Sequence, residues 1–448
     1  MNKKIILVNS LICALLMASC SKNNNQSDNK NKTDEQILQA FNEEYKDNGE
    51  EMVISYMSEP RPTDISDYET VFKNMTDCGI NTFFTWGYNE EYEKLCEKYN
   101  KDYTPYVYKQ IPQSYGDALK PENIKECVSG FQYFDEPTYY EIDTLEETIN
   151  NHAANYSDKG YYVNLNPCWL HDEGVEDSIL NGHMYPEYVS HFCDVVFSKI
   201  THDRWISLDY YPLLKNTVKD AWLYSYETVA EYAKAYNATF GFYVANTMHY
   251  DYRKLNETDL RFMINVALTY GARALQYFLC VNYNQGGRIE GNGLLSADGL
   301  TKYDEYYMAQ TVDQENLKWD HIFMNFDWQE TMLVKGDKYL FENSNFAHCK
   351  NDVSKLDGVK AITSDEDLIA GKFNGHNDDV GYMITNFNDC ASNKTANVTV
   401  EFENNGINKA VVYHRGEQSL VSITDAKIDL EITPGDAYFV HRWPHCPS

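Results

Sequence analysis

The chain lacks the cysteine patterns that would signal a metal ribbon or a dense disulfide framework. Its 11 cysteines include no CxxC pair, and no Cys/His cluster has zinc spacing. With Cys13 and Cys20 in the leader, an odd number remains, so mostly buried free thiols are expected, with a bridge or two. Positive charge is also scarce: 38 Lys and Arg stand against 68 Asp and Glu, for a net charge of −30. Nucleic-acid binding rests on neutralised phosphates, so this balance excludes it as an expected activity and disfavours polyanionic substrates. No Gly-rich nucleotide fingerprint follows the first strand-like run, and "GGRIEGNG" at 286–293 comes too late to be one. The His/Asp ligand clusters of a hydrolytic metal site are missing as well, so no metal and no cofactor are expected.

What is present begins with an export leader. In "MNKKIILVNSLICALLMASC", Lys3 and Lys4 precede an apolar run too short for a stable membrane span, and small residues follow. "MASC" resembles a bacterial lipoprotein processing box in which Cys20 becomes the lipidated first residue. The polar, low-complexity stretch "SKNNNQSDNKNKTDEQ" then reads as a tether. These features predict an exported protein anchored to a bacterial membrane through a lipid on Cys20, at the cell surface or periplasmic face.

From Met52 to Trp319, eight strand-like runs alternate with helix-length segments: "MVISYM", "NTFFTW", "YTPYVY", "FQYF", "YYVNLN", "WISLDYY", "TFGFYVAN" and "ALQYFLC". That count and rhythm predict a (β/α)8 barrel of the α/β class. One helix is specified in detail: Asn256 caps it, Asp259 lies in its first turn, and Gly271 ends it. Beyond about Lys335 the pattern becomes period-two alternation with turns, in "KYLFENS", "GYMITNF", "ANVTVEFE", "KAVVYH" and "DAYFVHRW". This predicts a small antiparallel β-sandwich. The expected organisation is a signal peptide (1–20), a tether with a short leading helix (21–50), the barrel (51–335) and the sandwich (336–448).

In such a barrel, functional groups stand at the C-terminal strand ends. Those ends carry Glu59, Trp86, Asp135 and Glu136, then Asn164, Asn166 and Trp169. Asp209, Tyr210 and Tyr211 end the sixth run, Asn246 and His249 follow the seventh, and Gln276 and Tyr277 lie in the eighth. Glycoside hydrolysis needs this inventory: a protonated carboxyl for the leaving oxygen, a second carboxylate, and amides and aromatic rings that hold a sugar. Asp135 beside Glu136 raises the pKa of its neighbour, because two negative charges resist coexisting. One of Tyr210 and Tyr211 is expected to face the core, and one of Gln276 and Tyr277 to point away from the lumen.

"FDEP", "SLDYYP" and "ALTYGARALQYFLC" resemble (β/α)8 glycoside hydrolases in the clan around the family 42 β-galactosidases and related bacterial lipoproteins. The resemblance covers roughly Met52 to Trp319, and the trailing sandwich fits that architecture. It implies that Glu136 is the acid/base, with Asp135 replacing the Asn of the clan's strand-four motif. The clan's nucleophile is a Glu ending strand seven, where this chain reads "YVANTMHYDY" and has none. Three substitutes remain open: Asp209 as the second carboxylate, a substrate acetamido group oriented by Asp135, or Asp251 or Glu257. The expected partner is a glycan or glycoside substrate. The alternative is a non-catalytic glycan-binding lipoprotein on a degenerate barrel.

Overall fold

The computed structural model describes residues 33–442 except 46–49, 111–114, 169–177, 284–286, 339–342, 351–352, 376–378, 404–405 and 407. The expected signal peptide, Cys20 and Trp169 therefore lie outside the described residues.

Each of the eight strand-like runs forms a parallel strand: β1 Val53–Tyr56, β2 Thr82–Thr85, β3 Asp102–Pro105, β4 Gly130–Asp135, β5 Gly160–Leu165, β6 Trp205–Asp209, β7 Thr239–Ala245 and β8 Ala274–Phe278. Six pair in the order β1-β8-β7-β6-β5-β4, and β2 pairs with β3. Two seams close the ring. The Asn81 side chain accepts from Ile54 N (2.9 Å) and donates to Met52 O (2.8 Å), tying β2 to β1. On the other side, Tyr103 bridges to Val128 and Tyr106 to Gln132, joining β3 to β4.

The barrel interior changes character along its axis. Its floor is apolar: Phe84, Tyr162, Trp205 and Ala274 pack together with Val53. Gly130 and Gly160 make room for the Tyr162 ring, since a Cβ on either would lie within 2.4 Å of it. Above the floor, alternate inward positions turn polar (Ser55, Asn164, Ser207, Gln276), and all four are buried. Outside the strands, helix Glu257–Thr269 starts at the Asn256/Asp259 capping box and stops just before Gly271.

Among the described residues, the C-terminal region holds nine antiparallel strands. These are β9 Phe326–Val334, β10 Val359–Ser364, β11 Leu368–Gly375, β12 Val380–Asn386, β13 Ala396–Phe402, β14 Lys409–His414, β15 Glu417–Ser422, β16 Lys427–Ile432 and β17 Ala437–Arg442. A six-stranded sheet (β15-β14-β17-β12-β11-β9) faces a three-stranded one (β10-β13-β16). The inner strands of the larger sheet are buried on both sides. Ile369, Phe373, Met383 and Phe439 join the barrel's core, whereas Leu368, Ala370, Tyr382 and Val440 fill the space between the sheets. The sandwich begins at Phe326, not at residue 336, because β9 pairs with β11 along its whole length. Of the run expected as a strand at 338–344, residues 339–342 lie outside the described residues, and Ser344 opens a helix, Ser344–His348, capped by Asn343.

The leading helix, Asp34–Glu44, is present and starts at a Thr33/Gln36 capping box. Ile37 and Phe41 are buried, and Phe41 packs against Tyr413 and His441 of the sandwich. Each such side chain contributes roughly 1.5–3 kcal/mol on burial. The eight described cysteines are all free thiols, five of them buried.

Candidate active site

Two local irregularities bring adjacent acids of β4 to one place. The β4–β5 register shifts between Gln132 and Phe134, so Asp135 lies opposite Asn164. In an unbroken pleat an inward Gln132 would send Asp135 outward; one extra residue reverses that. The extra residue, Tyr133, lies outside the barrel, stacked on Tyr161 and hydrogen-bonded to His152. Glu136 then takes a left-handed backbone (φ 52°), which costs about 1–3 kcal/mol in a side-chain-bearing residue. Three hydrogen bonds hold the turn: Glu136 N donates to Asn164 O (2.8 Å), and Asn166 Nδ2 (3.1 Å) and Tyr188 OH (2.7 Å) donate to Pro137 O.

Asp209 ends β6 opposite Tyr243 of β7, which in turn pairs with Gln276 of β8. Asn164 joins the acids: its Nδ2 donates to Asp135 Oδ1 and Asp209 Oδ1, each at 3.2 Å. Its Oδ1 accepts from Ser207 Oγ (3.1 Å), which fixes the amide's orientation, and Ser207 Oγ lies 3.3 Å from Gln276 Oε1. The carboxyls of Glu136 and Asp209 are within hydrogen-bonding reach of each other.

Electrostatics follow from this crowding. Burial raises the pKa of Asp209 well above the ordinary carboxyl value, and the charges of Glu136 and Asp135 push it further. Glu136 is also raised, first by removal from bulk water and then by Asp135, with the bond to Asp209 opposing. Glu136 is exposed by area where it lines the open cavity, so solvent there tempers the effect of burial. Asp135 is raised by burial, against the Asn164 bond. Two touching carboxyls of this kind retain a shared proton where an isolated acid has lost it.

The acids open into a cavity of about 870 Å3 at the C-terminal mouth. Of the residues expected at the site, Asp135, Glu136, Asn164, Asp209, Tyr210, Tyr211 and His249 line it. Both tyrosines border the cavity, and Tyr210 belongs to the buried core, as expected of one of the pair. Tyr210 is also the more buried of the two, and Tyr211 sits against His249 and Phe278. His249 Nδ1 bonds Thr247 O (2.9 Å), leaving Nε2 for a ligand, and burial lowers its pKa. Gln276 lies one layer beneath, its Oε1 3.3 Å from Ser207 Oγ.

Other expected residues serve the scaffold. Tyr277 points out of the barrel, donating to the buried Asp313 (2.6 Å), because it alternates with the inward Gln276. Asn166 holds the Glu136–Pro137 turn, and Asn246 Nδ2 donates to Leu279 O (3.0 Å), so neither amide faces the cavity. Trp86 is exposed at the end of β2 against Tyr106, off the cavity lining. Glu59 accepts from Arg61 and from Trp86 N (2.9 Å). Glu257 pairs with Arg261 (2.7 Å) on a helix outside the barrel, whereas Asp251 does line the cavity.

Among the lining residues that sequence reasoning missed, Tyr243, Lys219 and Tyr252 carry polar groups beside the acids. Tyr243 bonds Gln132 and Gln276, and burial with the Asp135 and Asp209 charges raises its pKa. Two residues beyond Gly241 in β7, it was open to detection by strand alternation. Lys219 Nζ donates to Tyr252 OH (2.5 Å) beside the Tyr210 ring, and burial lowers its pKa to about 8 against the pull of Asp209. Lys219 and Tyr252 come from loops, so no periodicity pointed to them. Among the described residues, no group of three or more His, Cys, Asp or Glu is placed to hold a metal ion.

No protein-family model and no curated protein matches the chain. Solved structures similar to it include a polyextremophilic β-galactosidase from the Antarctic haloarchaeon Halorubrum lacusprofundi (12% identity, 62% of this chain and 58% of that one, TM-score 0.39). A β-glucuronidase from Ruminococcus gnavus in complex with D-glucaro 1,5-lactone is similar over 58% of this chain and 49% of its own (14% identity, TM-score 0.38). An Anoxybacillus α-amylase is similar over 85% and 90% (12% identity, TM-score 0.43). The chain thus spans about half the length of the first two.

Proposed function

We propose that the protein is an exported glycoside hydrolase, tethered to a bacterial membrane through a lipid on Cys20. The observation that carries the reading is the set of three acids, Asp135, Glu136 and Asp209, gathered around Asn164 at the mouth of the barrel cavity. Glu136, on the open side, delivers the shared proton to the leaving oxygen. Asp209, held by Asn164, is the second carboxylate. Tyr210, Tyr211 and Tyr243 supply ring faces and hydroxyls for a sugar. Glu257 is set aside by its ion pair with Arg261.

The expected test uses leaving-group chemistry. Glu136→Gln should abolish release of a poor leaving group such as a sugar, yet retain much more activity on an activated aryl glycoside that needs no proton. Asp209→Asn should lose both. Equal rates in wild type and Glu136→Gln on an unactivated glycoside would end the proposal.

One observation favours a second reading, a glycan-binding protein without turnover. The Glu136 and Asp209 carboxyls are within hydrogen-bonding reach of each other, whereas hydrolysis needs them roughly 5–9.5 Å apart. The hydrolase reading requires substrate to enter between them. A binder predicts affinity without turnover on any glycan, retained in Glu136→Gln.

A further inference from the structure

A second, smaller cavity of about 280 Å3 adjoins the acid-lined one, and the two share Thr217, Val218 and Ser344 as a common wall. The geometry points to a second sugar subsite here, built jointly by the barrel and the sandwich, so that the protein takes a glycan chain of two or more units. This rests on the glycosidase reading and extends it to substrate class.

The wall is preorganised. The loop after β6 folds back on itself through a Leu213–Val218 bridge and a Leu214 N to Thr217 O bond (2.9 Å). Asn345 pins its far end, donating to Lys219 O (2.9 Å) and accepting from Leu223 N (3.4 Å). Opposite, Asn388 is locked by its bonds to Asn386 and Asp367 O. Phe262 and Phe387, ring centroids 5.7 Å apart and both buried against Trp222, back the cavity from the core side and leave its accessible lining mainly polar. Asn216, Thr217 and Ser344 are exposed at the edge. The amide of Asn216 and the hydroxyls of Thr217 and Ser344, held on a fixed wall, match the rim of hydroxyls of a sugar ring. Rigid walls also spare the ligand the cost of ordering them.

The test uses full-length protein, a panel of 4-nitrophenyl monoglycosides, and the matching di-, tri- and tetrasaccharides. Wild type should show kcat/KM rising at least tenfold with chain length. Ser344→Trp, which puts a bulky ring at the wall shared by the two cavities, should lower the ratio of oligosaccharide to monoglycoside kcat/KM at least tenfold. Asn216→Ala should lower it about threefold, and it decides the matter if the tryptophan variant does not fold. Wild-type activity that ignores chain length, or a ratio unmoved in both variants, overturns the subsite alone. Wild type silent on every glycoside overturns the hydrolase reading and the subsite with it.

Discussion

Asp436 and Asp209 are both acids removed from bulk water, and the molecule treats them in opposite ways. Asp436 sits in the turn before β17, 1% exposed. Arg415 grips it with two nitrogens (2.8 and 2.6 Å), His414 lies at 3.3 Å, and Arg261 at 3.9 Å. Burial alone would raise its pKa, but these partners, with Thr433, hold it far below the ordinary value. Asp209 at the barrel mouth has two carboxyls and one amide as its main partners, with no cation bonded to it among the described residues although Lys219 lines the same cavity, and its pKa goes up. A buried acid compensated by cations is a structural joint. One left among other acids is destabilising to the fold and useful for moving protons.

The largest expected effect breaks the mouth cluster chemically: Glu136→Gln should lower kcat on an unactivated glycoside by roughly 10²–10⁴-fold, with a circular dichroism spectrum like the wild type's. Next, Asp436→Asn should destabilise the protein by about 3 kcal/mol, because Arg415 and Arg261 lose a buried partner. Thermal melts at pH 7 would show it.

The third prediction sharpens the contrast through its sign. A lowered pKa, as in Asp436, contributes stability above the unfolded carboxyl value and loses it as pH falls. A raised one, as in Asp209, contributes stability below the unfolded value and loses it as pH rises through the folded value. Asp209→Asn should therefore stabilise the protein at pH 8 while abolishing activity, with the gain vanishing near pH 4. Melting curves across that range check it.

The smallest effect concerns Lys219. With its pKa near 8, wild-type kcat/KM should show an inflection there that Lys219→Met lacks, with less than a tenfold change below pH 7. Removing the Asp209 charge disfavours the ammonium, so a ligand-binding titration of Asp209→Asn should place the inflection below 8.

The barrel strands were legible because each is a short run bounded by helix-length spacers, and Asp135, Glu136 and Asp209 stood out as acids at their ends. The middle of the molecule was harder. β11 is buried on both faces over most of its length, so "LIAGKFNG" shows none of the alternation visible in β16. At the site, the bulge at Tyr133 and the left-handed turn at Glu136 decide which way the acids face, and neither leaves a mark in residue type. Choosing Gln276 over Tyr277 needed the register of β8.

The central claim is that the barrel mouth keeps a proton on a carboxyl at neutral pH. Infrared difference spectroscopy of wild type against Asp209→Asn at pH 7 addresses it most directly. A protonated-carboxyl band present in wild type, lost in Asp209→Asn and unchanged in Asp436→Asn, is the predicted result. Identical spectra from wild type and Asp209→Asn would contradict the account.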